Sequence, residues 1–432
     1  MSIVAPYQES RSTHQRSRMS SFSSLLVNFR EESWTSALRN CRRKVLRKKQ
    51  NGKVEGVIPV KGDITPASED TSSSLIIEAP SKTDEAFTSE EILSHRALRI
   101  VEKGTYALDD ALPIPEFQGE EEVMIRNYAT GLNPIDWKSV DYNFCLPEFP
   151  WVTGREMAGI VHKVAPGVTK FKVGDRVWTS TYYRDVRAGC FQDLVIVPQH
   201  TVLPIPDGMG FETAACLGVP ALTAAMTLWK WLQVPRVVRS PPEDIPDEQK
   251  ERLLIWGGST VTGQYAIQIA VQSGLEVIAV TSSKTQALAE RLGAHTVVVR
   301  DEKHNQEIVE QVLAVGGNRI TRALDLVGTT TASFSLQCLS KDKPCLFAPL
   351  AMMKTQDVPA NVEVLNVEMK QFVLDKTSTS YAEDLNYLLE HGRLQLPELT
   401  VLSGGLSAVV DGLERLKKGD MGGKKMVVSF TR

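Results

Sequence analysis

The spacing of hydrophobic positions changes twice along this chain. Before residue 96 large apolar groups are sparse and follow no period. From Ala97 onward LRIVEKGTYALDD, EEEVMIRNYATGLNPIDWKSV and TGREMAGIVHKVAPGVTKFKVGDRVWTS alternate apolar with polar positions between glycines. That period of two predicts short strands and a compact, strongly curved β-domain. After Phe211 the spacing becomes helical. Between Leu253 and Leu350, continuous apolar runs alternate with helical stretches in the order of a doubly wound parallel sheet. Its predicted strands are residues 253–256, 277–281, 296–299, 323–327 and 344–348. Residues 236–250, rich in proline and acid, predict a surface loop.

The run LLIWGGSTVTGQYAIQIAVQSGLEVIAVTSSK, from Leu253 to Lys284, has the outline of a dinucleotide site. Leu253, Leu254, Ile255 and Trp256 form the apolar strand; Gly257 and Gly258 allow a tight turn. Gly263 lets the next helix approach the strand, so that backbone N–H groups at its positive end face a pyrophosphate. Residues 264–273 predict that helix, ended by Gly274. The turn reads Gly258-Ser259-Thr260-Val261-Thr262-Gly263, with Val261 where a G-x-G-x-x-G pattern has its middle glycine. About twenty residues beyond the turn, where an acid would hold the ribose hydroxyls of NAD, stand Thr281, Ser282, Ser283 and Lys284. Hydroxyls and an ammonium can hydrogen-bond and neutralise a 2′-phosphate that a carboxylate would repel, so the predicted cofactor is NADPH.

Composition narrows the class. The chain has 432 residues, enough for two sizeable cores, with 23% charged and 42% hydrophobic residues as in an ordinary soluble protein. A formal charge of -3 gives no reason to expect nucleic acid as a partner. The cysteines at 41, 145, 190, 216, 338 and 345 include no C-x-x-C pair, which predicts reduced, buried thiols and a cytoplasmic setting. No apolar run reads as long enough for a membrane span, and Leu25-Leu26-Val27 is too short for a secretory h-region.

Charge is unevenly placed. Residues 1–53 hold 12 Lys or Arg against 3 Asp or Glu, a balance of +9; residues 54–95 hold 2 against 9, a balance of -7. Neither stretch has the apolar content to offset chain entropy, so residues 1–95 are predicted to be a disordered extension. The basic run RNCRRKVLRKK admits a nuclear or membrane-surface patch, a mitochondrial presequence or a solvated tail; Glu31 and Glu32 count against the presequence. Met19 offers an alternative start.

Several phrases taken together resemble the medium-chain dehydrogenase/reductase superfamily. NPIDWK at Asn133 to Lys138, TGREMAG from Thr153, VGDRV from Val173 and GCFQDLVIVP from Gly189 are similar to its GroES-like β-barrel domain. GGSTVTG from Gly257, LDLVG from Leu324 and GKKMVVSF from Gly423 are similar to the remainder. The resemblance implies an α/β protein with a GroES-like catalytic domain at 96–217, a Rossmann NADPH-binding domain at 218–372 and a return to the catalytic domain at 373–432. Zinc-dependent members are expected to carry Cys in the Asn133-Pro134 region and Gly-His-Glu where this chain has Gly154-Arg155-Glu156. A guanidinium cannot ligate zinc, so a metal-free site is expected. The branch resembled is that of quinone oxidoreductases, ToxD-like proteins and fungal trans-acting enoyl reductases of secondary metabolism. It implies NADPH-dependent reduction of α,β-unsaturated carbon–carbon double bonds, with a quinone or alkenal oxidoreductase or a non-catalytic nucleotide-binding scaffold as alternatives. A polyketide synthase acyl carrier becomes a candidate partner, and the protein a monomer or homodimer.

Hydride addition to an enoyl group requires a proton at the α-carbon and benefits from polarisation of the carbonyl, with geometry and water exclusion doing most of the work. Lys138 is the candidate for the catalytic role, against a surface or phosphate-neutralising one. Asn133 is expected to contact the cofactor ribose or to order its loop, Asp136 to cap or pin that loop, and Thr223 to reach the nicotinamide end or pack in the core. Gly258, Ser259, Thr260, Val261, Thr262 and Gly263 are assigned to the pyrophosphate turn, and Ser282, Ser283 and Lys284 to the 2′-phosphate. Leu326, Val327, Pro349 and Leu350 follow strand ends on the carboxyl side of the sheet, where the nicotinamide packs. Arg155 and Glu156 are expected to form an ion pair filling the space of a metal shell, while Tyr182 and Tyr183 pack or line the cleft. The seven histidines show no ligand spacing.

Overall fold

Alternating apolar positions build the first half of the chain. A computed structural model describes residues 94–430 other than 144, 240–245, 247, 248, 355 and 420. The charged extension, the basic run and part of the expected 236–250 loop therefore lie outside the described residues, all of which belong to one unit spanning Ala79–Arg432. The strands are β1 (His95–Glu102), β2 (Thr105–Leu112), β3 (Glu122–Gly131), β4 (Trp151–Val152), β5 (Glu156–Val164), β6 (Arg176–Ser180), β7 (Leu194–Pro198) and β8 (Val202–Pro204), with helix α1 (Pro134–Tyr142) after β3. β1 lies between β2 and β4 in a small antiparallel sheet. β3, β5, β6 and β8 continue a larger one, in which β7 also pairs with β3. Inward side chains such as Ile125, Val161, Val177 and Val195 fill the space these strands enclose.

A helix of mixed α- and π-turns, α2 (Phe211–Trp231), leads out of this domain. With 21 residues and a mean hydropathy of 1.3 it is long and apolar enough to cross a membrane, whereas the sequence reading found no apolar run of that length. It is a core helix here: 78% of its apolar window is buried inside the molecule.

Beyond it lies a six-stranded, wholly parallel sheet of β9 (Arg252–Trp256), β10 (Glu276–Thr281), β11 (Thr296–Val299), β12 (Ile320–Asp325), β13 (Cys345–Pro349) and β14 (Val362–Val364). The spatial order β11-β10-β9-β12-β13-β14 is that of the Rossmann fold, with its switch point between β9 and β12. The intervening helices are α3 (Val261–Gln272), α4 (Gln286–Arg291), α5 (Asn305–Gly316) and α6 (Thr329–Gln337). After α7 (Gln371–Leu374) and α8 (Thr379–Glu390), the chain returns as β15 (Leu399–Ser403), α9 (Leu406–Lys418) and β16 (Lys425–Ser429). β16 pairs antiparallel with β3, so the last strand completes the first large sheet.

Candidate active site

The dinucleotide turn is built from backbone contacts that only glycine permits. Gly257 takes φ +95°, and Thr260 donates to its carbonyl through both N–H and hydroxyl, at 3.0 and 2.8 Å. The Thr260 hydroxyl also accepts from Gly263 N at 3.0 Å, making Thr260 the N-cap of α3. A Cβ on Gly263 would lie 2.5 Å from Gly257 O, and one on Gly258 would lie 2.8 Å from the Ala279 side chain. Val261, at the missing middle glycine, is simply the first residue of α3. The cap uses Gly263 N, while the N–H groups at the start of a helix have no partner within it. The turn thus fits a pyrophosphate, with the backbone N–H groups of Val261 and Thr262 at the start of α3 beside a close backbone approach.

The carboxyl edge of the sheet closes over this turn. Leu326 N donates to Trp256 O at 3.0 Å and Leu350 N to Asp325 O at 2.9 Å, while Pro349 pairs with Asp325 in register. Val327 is 50% exposed, and a Cβ on Gly257 would meet Val327 at 2.9 Å and Leu326 at 3.3 Å. Leu326, Val327, Pro349 and Leu350 are therefore gathered with the glycine turn. β12 stops at Asp325, two residues earlier than predicted, because the buried carboxylate bends the chain. Its Oδ1 accepts from Val327 N, Gly328 N and the Thr331 hydroxyl, and its Oδ2 from the Ser335 hydroxyl. Burial raises the Asp325 carboxyl despite these four donors.

At the end of β10, Ser282 shares a hydroxyl hydrogen bond of 2.9 Å with Thr285, whereas Ser283 and Lys284 are exposed. Sequence reasoning found no acid at this strand end, yet Asp301 reaches it from the end of β11 and accepts from Ser283 N at 2.5 Å.

In the barrel, Asn133 caps α1, and its N–H donates to Asp136 Oδ2 at 2.8 Å, the loop-pinning role expected of Asp136. Asn133 Nδ2 donates to Glu156 Oε1 at 2.9 Å, and its Oδ1 accepts from Lys425 Nζ at 2.8 Å, so its amide serves to order the loop. Lys425 Nζ donates further to Leu132 O at 3.0 Å and Glu156 Oε1 at 2.5 Å. Glu156 Oε2 accepts from Val219 N in α2 at 2.7 Å. The ion pair in this space is therefore Glu156 with Lys425, not Glu156 with Arg155. Adjacent residues at the start of a strand point to opposite faces. Arg155 turns instead onto Tyr183, donating to its hydroxyl at 3.0 Å with the guanidinium 4.5 Å from the ring. Tyr183 is wholly buried and shares a 2.5 Å hydrogen bond with Ser139; Tyr182 is half-buried. Among the described residues no group of three or more His, Cys, Asp or Glu is arranged to hold a metal ion.

Thr223 lies buried in α2, one turn beyond Val219. Half-buried Lys138 lies on α1, its ammonium 5.7 Å from the centre of the Trp137 ring. Asp325, Asp301 and Lys425 are the site residues that sequence reasoning missed. Only Asp325 left a local trace, as an acid closing an apolar strand before Gly328-Thr329-Thr330.

Comparison with known proteins follows the same outline. The alcohol dehydrogenase GroES-like domain model matches residues 119–207, and the zinc-binding dehydrogenase model matches residues 262–385. Dehydrogenase azaJ of Aspergillus niger is 30% identical over 331 residues, covering 72% of this chain and 92% of its own length. Trans-enoyl reductase himH of Aspergillus japonicus is 29% identical over 320 residues, covering 72% of this chain and 90% of its own. A quinone oxidoreductase of Pseudomonas syringae pv. Tomato DC3000 shares the fold with a TM-score of 0.65 at 22% identity, over 78% of this chain and 99% of that one.

Proposed function

As the chain belongs to the medium-chain dehydrogenase/reductase superfamily of NAD(P)H-binding oxidoreductases, we propose that it is a zinc-independent, NADPH-dependent reductase of carbon–carbon double bonds conjugated to a carbonyl. The observation that carries this reading is the charge network at the barrel motif. Where zinc-dependent members are expected to hold a metal, this chain places a guanidinium stacked on Tyr183 and a carboxylate already neutralised by the Lys425 ammonium. Such a donor set suits a reaction whose transition state needs no Lewis acid.

The glycine turn, with Thr260 at its centre, would hold the pyrophosphate; Leu326, Val327, Pro349 and Leu350 would pack the nicotinamide end. Bound there, the reduced nicotinamide supplies hydride. Apolar strand ends exclude water, and Lys138 delivers a proton to the α-carbon or polarises the carbonyl oxygen of the acceptor. The relationship to trans-enoyl reductases supports an enoyl group as acceptor; the carrier proposed for it is a polyketide synthase acyl carrier bearing the group as a thioester.

NADPH consumption tested against crotonyl thioesters, quinones and alkenals checks the reading, with thioesters expected to turn over fastest. Elemental analysis should find far less than stoichiometric zinc, and chelators should leave the rate unchanged. Lys138→Ala should lower kcat about a hundredfold. Silence across the panel with tight NADPH binding would make the protein a nucleotide-binding scaffold instead.

A further inference from the structure

The second and third strands of the Rossmann sheet end side by side, because Arg300 N donates to Thr281 O at 2.9 Å. Asp301 is thereby delivered next to Ser283, eighteen positions earlier in sequence. Its carboxylate accepts from the Ser283 N–H at 2.5 Å. Hydrogen bonds from the Ser283 hydroxyl and backbone hold this carboxyl below the usual range, and the charges of Arg300 and Lys284 add to the effect. Two of the groups assigned to an extra ribose phosphate, Ser283 and Lys284, thus already face an anion that belongs to the protein. A carboxylate and a phosphate cannot both be ionised on the same donors without strong repulsion.

We propose that Asp301 is a specificity-determining residue of the nucleotide site: an internal counter-ion that satisfies Ser283 and Lys284 in the free protein and must be displaced before a 2′-phosphate can take those donors. The proposal rests on the NADPH reading above. Asp301 is half-exposed on the segment between β11 and α5, so a side-chain rotation into solvent frees the donors. A ribose with a plain 2′-hydroxyl needs no such displacement and can itself donate to the carboxylate. Asp301 therefore weakens NADPH binding relative to what Ser283 and Lys284 alone would give, and narrows the preference over NADH. The residue was invisible to sequence motifs, which look for an acid at the end of the second strand and not the third.

Isothermal titration of the full chain with NADPH, NADH, adenosine 2′,5′-bisphosphate and AMP reads this directly, without turnover. Asp301→Asn should tighten NADPH and the bisphosphate by roughly three- to tenfold, an effect that shrinks as salt is raised. NADH and AMP should stay within about twofold or weaken. Asp301→Ser, measured alongside, guards against an adverse contact from the asparagine amide. Unchanged or weakened NADPH and bisphosphate binding in both variants, with a wild type that prefers NADPH, overturns the counter-ion alone. A wild type that prefers NADH, unaffected by Lys284→Ala, overturns the NADPH reading and this proposal together, and assigns Asp301 to the ribose hydroxyls.

Discussion

Asp136 shows how much one side chain in this barrel is asked to tolerate. It is wholly buried; Oδ2 accepts from Asn133 N, but Oδ1 has no hydrogen-bond partner in the structure. Burial raises its carboxyl from 3.8 to about 7, against the pull of the Asn133 N–H, Arg155 and Lys425 and with a smaller push from Glu156. Such a group is protonated in the folded chain over a range where the unfolded chain has released the proton. The folded state then binds more protons, so stability falls as pH rises from about 4 to about 7 and levels off above. The full effect is at most roughly 4 kcal/mol. Asp136→Asn keeps the acceptor for Asn133 and removes the titration. Its thermal midpoint should therefore exceed that of the wild type above pH 7 and converge with it near pH 4. Parallel pH–melting curves for the two proteins would show that Asp136 is ionised in the fold.

At the level of elements, the turn between β9 and α3 does its work through backbone proximity. Thr260→Ala removes the cap and should cost about 1 kcal/mol, with a modest loss of dinucleotide affinity. Gly263→Ala should do far more, since its Cβ would sit 2.5 Å from the Gly257 carbonyl, which is backbone and cannot rotate aside. Chemical denaturation and NADPH titration of the two variants should rank them in that order. The turn and its flanking strands were legible in sequence because parallel strands covered on both faces are continuous apolar runs. β14 was not, being three residues, VEV, at the sheet edge after Pro359. α2 was legible as the helical spacing that begins after Phe211, though its full 21-residue apolar length was not. In the site, local grammar pointed to the glycines, the strand ends and the Asn133 loop. Asp301 and Lys425 escaped because their partners lie 18 and 269 positions away, and the neighbours Arg155 and Glu156 misled by adjacency alone.

Across the whole molecule, Glu156 is where separate parts of the chain are tied. One carboxylate on β5 receives Lys425 from the last strand, Asn133 from the loop before α1 and Val219 from the helix leading into the Rossmann sheet. Gly131 must lack a side chain to admit it, since a Cβ there would lie 2.4 Å from Glu156 Oε1. The Lys425 and Glu156 side chains are 4% and 0% exposed, so removing one charge strands the other away from water. Lys425→Met should therefore cost about 3–5 kcal/mol, whereas Glu156→Gln combined with Lys425→Met should recover most of that loss. The barrel and the Rossmann sheet share a hydrophobic cluster containing Trp178 and Val427 on one side and Leu253 and Ala279 on the other. Loss at the tie should thus lower the stability of both together and leave a single unfolding transition. Urea curves followed by tryptophan fluorescence and by far-ultraviolet dichroism should coincide for the wild type and each variant. Separate midpoints in Lys425→Met would mean that the pair only clamps two independently folding halves. Failure of the double variant to recover would mean that the charges contribute more than mutual neutralisation.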